Sequence, residues 1–220
     1  MHSSYVWEFL TVAGAHLLAV ASPGPDFAIV VKQSLRHGRR AAVWTSAGIA
    51  SGIFLHVAYS LLGIGLLIKS SPLAFAVLKF AGAAYLAWVG LHALRARSAE
   101  SPVQPSASET EAVGASGSRG PTPRAAWTTG FLTNALNPKA TLFFVALFSV
   151  VVDPHTPRAM QAVYGLWMAV ATGLWFTAVS YFFTREKVRR AFVSHGHWID
   201  RGMGIVLLAF AVRLALATLG

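Results

Sequence analysis

No cysteine occurs anywhere in the chain, which excludes disulfides, thiolate metal sites and a cysteine nucleophile. Charge is scarce too: 12% of the 220 residues are charged, against about 25% in a soluble domain. Acids are rarer than bases, 8 against 18. Catalytic signatures are missing as well. There is no His-Glu-x-x-His, no nucleophile elbow and no P-loop lysine motif, so neither intramembrane hydrolysis nor ATP coupling finds support, and the chain reads as a non-enzyme. The histidines are scattered, with no pair at metal-ligand spacing inside an apolar run. No metal or other cofactor is expected.

What is present is apolar residue, 55% of the chain, with a mean hydropathy of +0.56. Six apolar segments emerge, at 6–31, 41–68, 72–94, 125–152, 159–183 and 203–219. Each meets or exceeds the ~17–25 residues a spanning helix needs. A soluble fold is therefore set aside for an all-helical, six-span membrane protein. The second segment holds Gly48-x-x-x-Gly52, a spacing that lets helices approach closely. Ala19-Val20-Ala21 imitates a signal-peptide cleavage site, but His2 and Glu8 stand where a basic n-region belongs and prolines follow directly. The first segment is accordingly kept as a membrane helix.

The formal charge of +10 could suggest nucleic acid, yet the bases fall in clusters between apolar runs. Lys32, Arg36, Arg39 and Arg40 form the first; Arg95, Arg97, Arg119 and Arg124 the second; Arg185, Lys187, Arg189 and Arg190 the third. Odd-numbered loops are basic and even-numbered ones are not, the pattern of positive-inside topology. Both termini should then lie on the non-cytoplasmic side, with a lipid bilayer and not nucleic acid as the partner. Residues 97–124 are dense in Ser, Pro, Gly, Ala and Glu, and read as a flexible cytoplasmic linker. They separate a first three-helix unit, 1–96, from a second, 125–220.

The two units resemble each other. Each opens on a proline-broken segment and reaches its third through a Lys/Arg-x-x-Gly step, Lys79 to Gly82 and Arg201 to Gly204. Lys79 and Arg201 are read as marking helix ends. Three spans per unit forces the second to run inverted, a 3+3 repeat of the transporter kind. The first break is Ser22-Pro23-Gly24-Pro25-Asp26 and the second is centred on Asn137-Pro138-Lys139. Proline removes a donor and clashes with the preceding turn. In a bilayer such irregular backbone survives only against protein or a polar cavity.

Pro25 lies twelve residues before His37 and Pro138 fourteen before Val152, so the half-helices after them are about 18 and 21 Å long. Two helix N-termini should meet near the midplane, a natural seat for a carboxylate. Lys139 would reinforce it, and Asp26 would attract an ammonium group. Other readings stand beside these. Asn137 before Pro138 is also ordinary capping chemistry, and Lys139 can snorkel toward an interface. Asp26 is costlier to bury and points more firmly to function. His16 and His56 sit in apolar runs, either relaying protons or bonding a neighbouring helix.

Three stretches now become familiar. Ser-Pro-Gly-Pro-Asp at 22–26, Ala-Gly-Ala-Ala-Tyr-Leu at 81–86 and Gly-Phe-Leu-Thr-Asn-Ala-Leu-Asn-Pro-Lys-Ala at 130–140 resemble the LysE/RhtB family of amino-acid exporters. The likeness covers nearly the whole chain apart from the linker. Within the family it looks most like the threonine/homoserine branch, on His16, Asp26-Phe27, Phe148-Ser149, Trp175-Phe176-Thr177 and Trp198-Ile199-Asp200. Many relatives carry Pro-Gln where Ser149-Val150 stands here. The resemblance implies a bacterial inner-membrane protein that exports small neutral amino acids or their lactones by proton antiport. It also implies Asp26, Asn134, Asn137 and Lys139 as candidate substrate positions. A channel and a metal-ion exporter are the rivals, the first needing a continuous polar file and the second ligand clusters. The substrate among these amino acids and any homo-oligomer stay open.

Overall fold

A computed structural model describes residues 2–70, 72–96, 120–153, 155–183 and 185–216, and every regular element among them is helical. The helices are α1 (His2–Ala21), α2 (Pro25–Ser70), α3 (Pro72–Leu94), α4 (Pro123–Ala135), α5 (Pro138–Val150), α6 (Arg158–Phe182) and α7 (Glu186–Leu216). Most of the linker expected over 97–124 lies outside the described residues; its end is ordered, with Thr122 capping α4 by accepting from the Ala125 N–H. Pro123 takes the first helical position, where its missing N–H costs nothing.

Among the described residues two helical stretches, Pro25–Leu62 and Arg158–Phe182, are long and apolar enough to cross a membrane. The pair α4 and α5, bent by 57° at its break, makes a third if it is one span. Within α2 the helix kinks at Gly38, whose φ of 81° only glycine adopts without strain. That kink divides the half-helix after the first break from the second apolar segment.

Lys79 and Arg201 do not mark helix ends. Lys79 lies inside α3 and Arg201 near the middle of α7, which starts at Glu186, well before the apolar segment at Met203. The reason is that a helix needs neither apolar residues nor a membrane to continue. Hydropathy detects lipid contact, whereas the 186–202 stretch contains no proline that would stop a helix.

Close backbone contact determines how the helices sit. A side-chain carbon at Gly48 would meet the Trp127 carbonyl oxygen, and one at Gly130 would meet that of Thr45. Gly52 likewise makes room for the Asn134 side chain. The contacts advance together along both helices, so α2 and α4 run parallel. Between α3 and α7, Gly90 faces Gly204 while Gly82 faces Leu214, so that pair runs antiparallel. Tyr164, Met168, Leu147 and Met203 fill the main core between them.

The ends of the molecule differ in charge. His37 lies beside Gly120, at the start of α4, and Arg39 stacks over Tyr181, 5.4 Å from its ring centroid, at the end of α6. The first basic cluster therefore lies at the same end as the start of α4 and the end of α6. At the other, the Glu8 carboxylate accepts from the Asp153 N–H at 2.9 Å and the Thr156 hydroxyl at 3.0 Å, tying α1 to the α5–α6 loop. In that exposed loop the His155 backbone N–H holds the Asp153 carboxyl below the usual carboxylate range.

Candidate functional site

The first break leaves Ser22, Pro23 and Gly24 between α1 and α2, and the second leaves Leu136 and Asn137 between α4 and α5. Each break frees backbone groups that must be satisfied locally. Asn137 serves as N-cap of α5, its side-chain oxygen accepting from the Lys139 N–H at 3.0 Å. The Asn134 carbonyl, at the end of α4, accepts from the Asn137 N–H at 3.0 Å and from His56 Nε2 at 3.0 Å. The capping reading of Asn137 thus holds, and His56 is bound to the second break.

The breaks touch each other. Lys139 Nζ donates to Ser22 Oγ at 2.6 Å, with Pro23 O at 3.4 Å. Lys139 therefore turns into the opposite break and does not snorkel. Asn134 Nδ2 donates to Asp26 Oδ2 at 2.8 Å, while Asp26 Oδ1 is buried without a partner. Around these groups lies a cavity of about 60 Å³ lined by Ser22, Asp26, Asn134, Asn137 and Lys139 at the breaks and by Ile53, Phe143 and Phe176 beyond. At about 30 Å³ per water, as in the liquid, that is room for about two waters. The two prolines, Pro25 and Pro138, each open the helix that follows.

Of the two histidines, His16 lines the same cavity and its Nε2 stands 3.1 Å from Thr172 Oγ1. His56 is fully buried behind it. Because His56 Nε2 faces a carbonyl, that nitrogen carries the proton. Its Nδ1 lies 2.6 Å from the Tyr59 oxygen, and the same hydroxyl stands 3.2 Å from Thr141 O. One hydroxyl hydrogen serves His56 or Thr141, not both.

One acid escaped the sequence reading of the site. Asp200 Oδ1 accepts from Ser22 Oγ at 2.7 Å, so Ser22 bridges Lys139 to a second carboxylate. The signal was an acid three residues before an apolar segment, masked by Arg201 beside it. Arg201 itself turns away, its Nε donating to Ala96 O at 3.3 Å. Among the described residues no three or more His, Asp or Glu gather as metal ligands do.

The arrangement is one carboxylate oxygen lacking a donor and one ammonium across a small, mostly apolar cavity at two helix breaks. Chemically it suits a ligand with a cationic and an anionic group close together. The chain is 30% identical to the threonine efflux protein of Escherichia coli over 210 residues, 95% of this chain and 98% of that one. It is 33% identical to a homoserine/homoserine lactone efflux protein of Salmonella typhimurium over 158 residues, 72% of this chain and 70% of that one. No solved structure matches. The family model described as LysE type translocator matches residues 17–218, both breaks included, and the chain therefore belongs to the LysE type translocator family.

Proposed function

We propose that this protein exports small neutral amino acids of the threonine, homoserine or homoserine lactone class across the bacterial inner membrane by proton antiport. The observation that carries the reading is the unpartnered Asp26 Oδ1 facing the same cavity as Lys139. Asp26 takes the substrate ammonium. Lys139 and the N-terminus of α5 take its carboxylate, the helix end contributing partial positive charge. Asn134 orients Asp26, and Asn137 shapes the N-terminus that the carboxylate meets. The names of the two relatives supply the amino-acid class.

Antiport follows from competition. A proton on Asp26 removes the ammonium's partner, so proton and substrate exclude one another at this carboxylate. His56 supports the same exchange: a proton on its Nδ1 would turn the Tyr59 hydroxyl toward Thr141 O, altering the second break. His16 is the other histidine within reach of the cavity. The architecture we infer is six spans in two inverted three-helix units around the paired breaks, with 97–124 as a cytoplasmic linker.

Uptake into inverted vesicles under an imposed pH gradient tests the reading. Threonine or homoserine should accumulate uphill and leucine far less; a channel equilibrates substrate and never accumulates it. Asp26→Asn should insert normally and lose at least about a hundredfold in uptake, as expected when a buried charge partner worth ~3 kcal/mol is removed. Undiminished uptake by that variant would remove Asp26 from the mechanism.

A further inference from the structure

His16 is 2% exposed, and its Nδ1 is buried without a partner. It lines the cavity together with Thr172, to which its Nε2 is bound at 3.1 Å. The rings of Phe144 and Trp167 stand 6.2 and 5.8 Å from its own, so no charged group among these neighbours explains the histidine. An orphaned ring nitrogen in an aromatic surround is costly unless something in the cavity satisfies it.

We propose that His16 and Thr172 form a side-chain subsite that recognises a hydroxyl on the β- or γ-carbon of the substrate. The inference rests on the amino-acid export reading and deepens it. Three features agree. First, His16 and Thr172 line the same cavity as Asp26 and Lys139, the groups assigned to the substrate's ammonium and carboxylate, so a bound amino acid has its side chain within the space they share. Second, the cavity wall between the ends is apolar, with Ile53, Phe143 and Phe176 facing the substrate's carbon atoms. Third, a hydroxyl both donates and accepts, so it fits Nδ1 in either tautomer of the neutral ring. If Nε2 donates to Thr172, Nδ1 accepts from the substrate; if Nε2 accepts, Nδ1 donates to it.

A valine side chain has the shape of threonine without the hydroxyl, and would leave Nδ1 unpaired. Sites built to bond a hydroxyl reject the analogue lacking it far more strongly than apolar pockets discriminate by size. The ratio of kcat/KM for threonine over valine in the vesicle assay is therefore the readout. It should be at least about tenfold in the unmodified protein. Replacing both partners, His16→Leu with Thr172→Val, leaves an apolar end with no orphaned group, and the ratio should fall to within about twofold of one. Thr172→Val alone, the milder variant, should lower it part of the way if the double variant inserts poorly.

Two outcomes overturn the inference while leaving export intact. One is an unmodified protein that handles threonine and valine alike. The other is a variant that loses uphill accumulation of both at an unchanged ratio, which is what a proton relay through His16 predicts. If the unmodified protein moves no amino acid at all, the export reading itself falls and takes the subsite with it.

Discussion

Lys139 carries a positive charge into a largely apolar interior, and its countercharges come from two other helices. Asp26 lines the cavity with it, and Asp200 reaches it through Ser22 by bonds of 2.6 and 2.7 Å. An uncompensated buried charge is strongly destabilising, so a lysine deprived of partners surrenders its proton. Asp200 is in that sense a positioning residue: through Ser22 it holds Lys139 in place without lining the cavity. Asp200→Asn should raise the KM for substrate about tenfold, a change of ~1.4 kcal/mol, while kcat stays within about a factor of two. Asp200→Glu should recover part of the loss; a fall in kcat at constant KM would contradict the assignment. The sequence made Asp26 and Lys139 visible because each stands alone in an apolar run. Asp200 was hidden among charges, and Thr172 looked like any tolerated hydroxyl in an apolar helix. What no spacing could disclose was that Ser22 joins Lys139 to Asp200, because that contact links residues 178 positions apart.

Between elements, the α2–α4 crossing fixes where the second break lies. Without a hydrophobic drive between helices in lipid, close packing of backbones has to supply attraction, and small residues permit it. The spacing of Gly48 and Gly52 announced a close approach but not its partner, since Gly130 lies beyond the linker. The prolines announced the breaks and little else: proline chemistry is local, whereas the 57° angle at the second break depends on what packs around it. Gly130→Ala puts a methyl group against the Thr45 carbonyl, and overpacking of that kind costs about 1–3 kcal/mol. Thermal unfolding of the detergent-solubilised variant should show a midpoint lowered by several degrees. Gly14 has open space around it, so Gly14→Ala should leave the midpoint unchanged or slightly raised, as a helix-favouring exchange does. Equal behaviour of the two variants would mean that the crossing contributes nothing.

At the scale of the whole molecule, the separation of charge along the bundle specifies an orientation. Loop composition already implied it, and the fold adds that His37, Gly120, Arg39 and Tyr181 come together at one end. Glu8, Asp153 and Thr156 close the other. The parallel course of α2 and α4 and the antiparallel course of α3 and α7 agree with spans that alternate in direction across two inverted units. By the positive-inside rule the orientation we propose puts the basic end on the cytoplasmic side. The chain holds no cysteine, so single substitutions can be labelled without background. Arg124→Cys, exposed at the start of α4, should react with a membrane-impermeant maleimide in inverted vesicles and not in intact spheroplasts. His155→Cys, in the exposed loop after α5, should react in spheroplasts and not in inverted vesicles. A cysteine appended after Gly220 should behave like His155→Cys, because in the proposed six-span arrangement α7 starts at the basic end and crosses once more. Labelling of that cysteine together with Arg124→Cys would leave an even number of crossings between the two positions instead of three and break the inverted pairing, whatever the substrate turns out to be.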